Sequence, residues 1–170
     1  MAVLPIRKFP DPVLKEKTKP VEKIDNEILK LIKNMADTMY AAPGAGLAAN
    51  QIGVLKRVIV IDIHEHDKHK HLMAFINPEI TWYSKEIEES EEGCLSVNPE
   101  IHVPVPRSVK IYFKALNKKG EPVEFEAEGF LARVLQHETD HLNGIIILDR
   151  ISPEEKRKVL RELSEKRPLV

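Results

Sequence analysis

The chain has 170 residues, with 26 Lys and Arg against 27 Asp and Glu, seven His and a single Cys. That is one domain's worth of chain, long enough to bury about 70% of the surface its unfolded form exposes, so folding requires neither a disulfide nor a structural metal. A net charge of −1 and nine aromatic residues offer no basic field or stacking platform, which argues against a direct nucleic-acid site. No apolar run approaches the ~18 residues of a membrane span. One cysteine cannot form an internal disulfide, and Met1-Ala2-Val3-Leu4-Pro5 carries no secretory pattern, so a cytoplasmic setting is expected.

Phe9-Pro10-Asp11-Pro12-Val13-Leu14 is punctuated by prolines and reads as a turn-rich lead-in. Beyond Asp25, a candidate N-cap, Ile28, Leu31, Ile32, Met35 and Met39 recur at helical spacing until Pro43-Gly44 stops the run. The two methionines suit a core better than a cofactor box. The small-residue stretch Gly44-Ala45-Gly46-Leu47-Ala48-Ala49-Asn50-Gln51-Ile52-Gly53 permits close backbone approach. It matches the loose form of the dinucleotide fingerprint but follows a helix instead of a strand, so a close-packed turn or a ligand-approach loop is expected. The runs at 58–63 and 72–76 are expected to pair as strands, with His64, His66, His69 and His71 in a charged, solvated hairpin loop between them.

Residues 81–90 continue as strand and loop and become acidic. Val109, Ile111, Phe113 and Ala115 then alternate with Lys110, Tyr112 and Lys114, and Val123, Phe125 and Ala127 with Glu124, Glu126 and Glu128. Joined through Asn117-Lys118-Lys119-Gly120, they predict an antiparallel hairpin with one wet face and Lys–Glu pairs across it. Leu131, Val134, Leu135, Glu138, His141 and Leu142 recur at three- and four-residue spacing up to Gly144, which predicts a helix in or near the core. Ser152-Pro153-Glu154-Glu155 combines an N-cap, a first-turn proline and a capping glutamate, opening a C-terminal helix over residues 153–166. With no repeat and no linker, residues 1–170 read as a single α+β domain.

His137-Glu138-Thr139-Asp140-His141 is H-E-x-x-H on a predicted helix. Four residues make just over one turn, so both imidazoles leave the same face and reach one metal ion, with Glu138 beside the first. The plain alternative is a pair of hydrogen-bonded core histidines. A third ligand separates the possible chemistries. The metzincin pattern keeps Gly144 but has Ile147 where its last His belongs. The downstream carboxylates a gluzincin would need, Glu154, Glu155, Glu162 and Glu165, all fall on the polar terminal helix. Cys94 remains, a strong thiolate ligand for Zn²⁺ or Fe²⁺ that leaves one coordination position open, against the plain reading of an inert buried cysteine. Its flanks, Gly93 and Leu95-Ser96, are unlike a plain core strand.

Gly44-Ala45-Gly46-Leu47-Ala48-Ala49-Asn50-Gln51, Glu92-Gly93-Cys94-Leu95-Ser96 and Gln136-His137-Glu138-Thr139-Asp140-His141-Leu142 together resemble the three signature motifs of the peptide deformylases, in that family's order and spacing. The similarity runs from Leu4-Pro5 to Ser152. The resemblance implies a metal-dependent hydrolase that removes the N-formyl group from the N-terminal formylmethionine of nascent proteins and releases formate; a zinc-dependent peptidase of the HExxH type is the alternative. It also implies antiparallel β-sheets wrapped around the central helix that carries HExxH. Carried over residue by residue, Cys94, His137 and His141 would hold one divalent ion, Fe²⁺ with Zn²⁺, Ni²⁺ or Co²⁺ as substitutes. Glu138 would be general acid and base, Gln51 and Leu95 would meet the oxyanion, and Gly46, Ala45 and Gly93 would line the peptide. Without the resemblance, Gln51 in a turn reads as a surface residue. Two positions depart from the family's common forms: Ala45, where many members have a larger aliphatic residue, and His102, near an arginine that touches the peptide in several. Residues 150–170 carry seven Lys or Arg against four Asp or Glu. A docked amphipathic helix with a solvated face explains that excess plainly, and the resemblance adds a contact with the ribosome.

Overall fold

The computed structural model describes residues 2–63 and 71–166; the expected loop positions His64, His66 and His69 lie outside them. The elements in chain order are α1 (Asn26–Ala41), β1 (Gly46–Ala48), β2 (Val58–Ile61), β3 (Met73–Tyr83), β4 (Ile87–Cys94), β5 (Asn98–Ser108), β6 (Lys110–Leu116), β7 (Pro122–Glu128), α2 (Gly129–Leu142) and α3 (Pro153–Lys166). Short 3-10 turns lie at Pro12–Lys15, Ala49–Ile52 and Ile147–Asp149. Strands β1-β2-β3-β6-β7 form one antiparallel sheet in that order, and β4 and β5 pair as a second, two-stranded one. No helix among the described residues is long and apolar enough to cross a membrane.

The unbroken run Val58-Ile59-Val60-Ile61 is buried at every position because β2 is covered on both faces. Val58 and Val60 pack with Ile28, Ile32, Met35 and Met39 of α1, whereas Ile59 and Ile61 face Ala132, Leu135 and Leu142 of α2. Helix α1 starts as its sequence predicts, with the Asp25 side chain accepting from the Ile28 amide at 3.1 Å. The hairpin β6–β7 also forms in the expected register: Ile111, Phe113 and Ala115 enter the α2 core, and Lys110 and Lys114 stand opposite Glu128 and Glu124, 3.7 Å apart in each ion pair.

The second sheet closes over α2 from the opposite side. Ile101, Val103 and Val105 of β5 join Leu14, Ile146, Ile147 and Leu148 in a core that also takes Val159 and Leu163 of α3. Gln136 of α2 exchanges two hydrogen bonds with the Ser108 backbone, donating to its carbonyl at 2.9 Å and accepting from its amide at 3.2 Å. The outcome is a helix sandwiched between two antiparallel sheets, the α+β arrangement expected.

Two strands differ from the sequence expectation. Strand β3 continues past residue 76 because Asn77 adopts φ +52 at a register shift and fixes Val21 from both sides, accepting its amide at 2.8 Å and donating to its carbonyl at 2.9 Å. Strand β5 carries Pro99, Pro104 and Pro106, which mask it in the sequence. A two-stranded sheet tolerates them because each strand has a free edge where no N–H is needed.

The end of α2 is held with the same completeness. Thr18 and Arg57 side chains donate to the Leu142 carbonyl at 2.8 and 3.1 Å, and the Asn50 amide donates to that of His141. Gly144 then turns the chain at φ +76, where a Cβ would sit 2.4 Å from the Lys15 carbonyl oxygen, so only glycine fits.

Candidate active site

Helix α2 projects His137 and His141 from one face, one turn apart, and β4 delivers Cys94 to them. The His137 and His141 Nε2 atoms are 3.3 Å apart, and Cys94 Sγ lies 3.4 Å from His141 Nε2. The three donor atoms all fall within 4.8 Å of one another, with Cys94 and His141 buried and 12% of the His137 side chain exposed. A tetrahedral site with metal–nitrogen bonds of about 2.0–2.1 Å separates its nitrogen donors by about 3.3–3.4 Å. The separation of the two nitrogens is therefore that of two corners of a tetrahedron, and a thiol with two imidazoles fits a divalent transition ion with one position left over.

The surroundings favour positive charge at this point. Glu92 Oε1 accepts from His137 Nδ1 at 2.8 Å, which assigns the proton to Nδ1 and turns Nε2 toward the other two donors. Burial opposes the His137 cation, yet the Glu138, Cys94 and Glu92 groups outweigh it and carry the imidazole well above its ordinary pKa. Burial and the neighbouring His137 and Arg107 charges push His141 the opposite way.

Glu92 is itself held firmly. Arg107 forks onto it through two 3.0 Å hydrogen bonds, Arg133 adds a third guanidinium contact, and Arg107 Nη1 continues to Asp140 at 2.6 Å. Burial alone would raise the Glu92 carboxyl, but hydrogen bonds from His137 and Arg107 and the Arg107 charge bring it to about 2. Removing one partner from such a buried ionic cluster costs ~3–5 kcal/mol, because the remaining charge stays desolvated and unpaired.

Glu138 is treated differently. It is buried, its Oε1 has no hydrogen-bond partner among the described residues, and burial pushes its carboxyl up to about 7 against the pull of His137. Across from it stands Gly46 of the edge strand β1, where a Cβ would come within 2.6 Å of Glu138 Oε2 and 3.0 Å of its Cγ. The small-residue stretch thus holds a short strand and a 3-10 turn, and its glycine leaves room for a carboxylate.

Gln51 is buried rather than on the surface: the Ala48 amide donates to its Oε1 at 2.9 Å, and its Nε2 donates to Ser96 Oγ at 3.0 Å. The Leu95 carbonyl is tied by Lys8 Nζ at 2.7 Å, and the Leu95 side chain packs where a Cβ on Gly44 would otherwise fall. These groups border a cleft of about 340 Å³ whose lining includes Ala45, Gly46, Gly93, His102, Phe130 and Glu138. His102 is exposed, and its ring covers Gly93 closely, with Nε2 3.2 Å from where a Cβ would stand.

The residues the sequence nominated border one cleft except for His141, which is buried and meets the site through Nε2, 3.3 Å from His137 Nε2 and 3.4 Å from Cys94 Sγ. The sequence did not nominate Glu92, Arg107, Arg133, Asp140 or Ser96 for any role. Glu92, Ser96 and Asp140 sit inside the recognised motifs, which was a usable signal, whereas Arg107 hides in a proline-rich run with no local pattern to mark it.

The family model for polypeptide deformylase matches residues 3–157. A peptide deformylase from Thermodesulfovibrio yellowstonii is 49% identical over 162 residues, spanning 95% of this chain and 96% of that protein. The crystal structure of peptide deformylase from Thermotoga maritima is 50% identical, with a TM-score of 0.82 over 89% of this chain and 99% of its own. That of peptide deformylase from Ehrlichia chaffeensis in complex with actinonin is 37% identical, with a TM-score of 0.90 over 99% of this chain and 100% of its own. The similarity is sustained in sequence and in three dimensions over nearly all of the chain, which belongs to the peptide deformylase family of hydrolases.

Proposed function

We propose that this protein removes the formyl group from N-terminal formylmethionine of nascent proteins in the cytoplasm, with one divalent ion held by Cys94, His137 and His141. The observation that carries the reading is the buried Glu138 carboxylate beside those three donors, its Oε1 without a hydrogen-bond partner among the described residues, with Gly46 making room for it. Family membership favours this over an HExxH peptidase.

When bound, the ion would supply Lewis-acid polarisation and bring the pKa of a water down toward neutrality. Fe²⁺ is the proposed physiological ion, with Zn²⁺, Ni²⁺ or Co²⁺ as substitutes. Glu138 accepts the proton of the attacking water and returns it to the departing amine, a transfer suited to a carboxyl whose pKa burial has raised toward neutrality. The oxygen of the formyl group gains negative charge as the carbon becomes tetrahedral. Gln51 Nε2 and the Leu95 amide donate to it, and Gln51 needs no reorganisation because its carbonyl end is already anchored on Ala48. An extended peptide adds its backbone alongside the free edge of β1 at Gly46 and beside Gly93, with Ala45 next to the reacting group. Helix α3, seated by Val159 and Leu163, keeps Arg157, Lys158 and Arg161 exposed as a basic face for the ribosome.

Formate release from a formyl-Met peptide under anaerobic conditions tests the chemistry. Glu138→Gln is expected to lower kcat by ~10²–10⁴ while one metal per chain is retained; wild-type-like turnover in that variant would exclude Glu138 as the proton carrier. In Gly46→Ala the added Cβ displaces the Glu138 carboxylate, so kcat/KM should fall by at least ~10-fold with thermal stability and metal content near wild type. Reversing Arg157, Lys158 and Arg161 to Glu should abolish co-sedimentation with ribosomes and leave hydrolysis of a free peptide unchanged.

A further inference from the structure

Arg150 follows the 3-10 turn Ile147–Asp149, and 44% of its side chain is exposed. It nevertheless grips a buried carboxylate with two donors: Nε reaches Asp140 Oδ2 at 3.0 Å and Nη2 reaches Oδ1 at 2.7 Å. Asp140 Oδ2 also accepts from Arg107 Nη1 at 2.6 Å, Arg107 forks onto Glu92, and Glu92 Oε1 holds His137 Nδ1 at 2.8 Å. An unbroken series of charge-assisted hydrogen bonds thus runs from a solvent-facing arginine through three buried groups to the imidazole of a metal-ligand candidate.

Arg107 is the pivot of this series, shared between two carboxylates. Arg133 and His137 add their own bonds to Glu92, and Arg150 balances them at Asp140. Without Arg150, Asp140 Oδ1 has no guanidinium partner and the carboxylate is free to turn. Arg107, still bound to Asp140 Oδ2, then follows the turning carboxylate, which loosens its fork on Glu92. The His137 ring is held only as well as Glu92 is.

We propose that Arg150 is a positioning residue for His137, acting through Asp140, Arg107 and Glu92 to pre-organise the ligand set for its ion. Changes in groups that orient metal ligands typically cost 10–100-fold in affinity, and Arg150 stands further out, so a loss of ~3–10-fold is expected on its removal.

Chelator competition for Co²⁺ with folded protein at 25 °C measures this independently of turnover. Arg150→Ala should weaken Co²⁺ binding by ~3–10-fold and Arg150→Lys should recover part of the loss, since it restores the charge without the fork. Val159→Ala is the control for a merely structural role. It loosens α3 in the apolar core that it shares with the Ile146–Leu148 turn while leaving every hydrogen bond of the series in place, and should lower thermal stability while Co²⁺ affinity stays within twofold of wild type. Affinity in Arg150→Ala within twofold of wild type, no recovery in Arg150→Lys, or an equal loss in Val159→Ala would overturn the assignment. The relay matters only if Cys94, His137 and His141 hold an ion, so wild-type protein that takes up no Co²⁺ would remove that reading itself.

Discussion

The constraint on which this structure turns is the burial of one helical turn that carries His137, Glu138, Asp140 and His141. Desolvated charges without partners cost several kcal/mol each, and an apolar environment alone would expel the segment. The β4–β5 hairpin resolves the problem by supplying opposite charge and a soft ligand from a single element. Glu92 and Cys94 lie two residues apart at the end of β4, where its register with β5 shifts, and both are buried against α2, Glu92 on His137 and Cys94 on His141. Arg107 on the neighbouring strand then closes the electrostatics between Glu92 and Asp140.

The large sheet serves the same end by different means. One face of α2 offers Ala132, Leu135 and Leu142 to the sheet, and this apolar contact anchors the helix so that its polar face can be buried without sliding. Side-chain donors from Thr18, Asn50 and Arg57 fix its last carbonyls, which sets where His141 stands. Four buried side-chain polar atoms among the described residues nevertheless lack a hydrogen-bond partner, and Glu138 Oε1 is the carboxylate oxygen among them. The fold leaves unpaired the one carboxylate whose proposed role is to move a proton, and keeps Gly46 opposite it so that the space is not filled. A partner there would stabilise the protein and lower the basicity that the chemistry needs.

Much of this was legible in the sequence, for reasons that differ by element. Helix α1, strand β2 and the β6–β7 hairpin follow from strong periodicities and turn residues, and the H-E-x-x-H turn declares itself through helical spacing. Strand β5 was not legible, since three prolines read as loop until the partner strand is known to leave an edge free. Gln51 looked like a surface turn residue because its burial depends on Ser96, 45 positions away. The ionic cluster was hidden for the same reason: Glu92, Arg107, Asp140 and Arg150 are unremarkable singly, and only the packing of β4, β5 and α2 makes them one unit. Local pattern reveals elements and ligand spacing, whereas the groups that orient ligands are long-range.

On the proposed reading, this buried turn and the β4 cysteine form one ligand set for a divalent ion. X-ray absorption at the metal edge of the iron-loaded protein, prepared anaerobically, tests it most directly. One sulfur at about 2.3 Å and two imidazole nitrogens at about 2.0–2.2 Å are expected, with the sulfur contribution lost in Cys94→Ala. A first shell without sulfur in the wild-type protein, or one unchanged by that substitution, would contradict it.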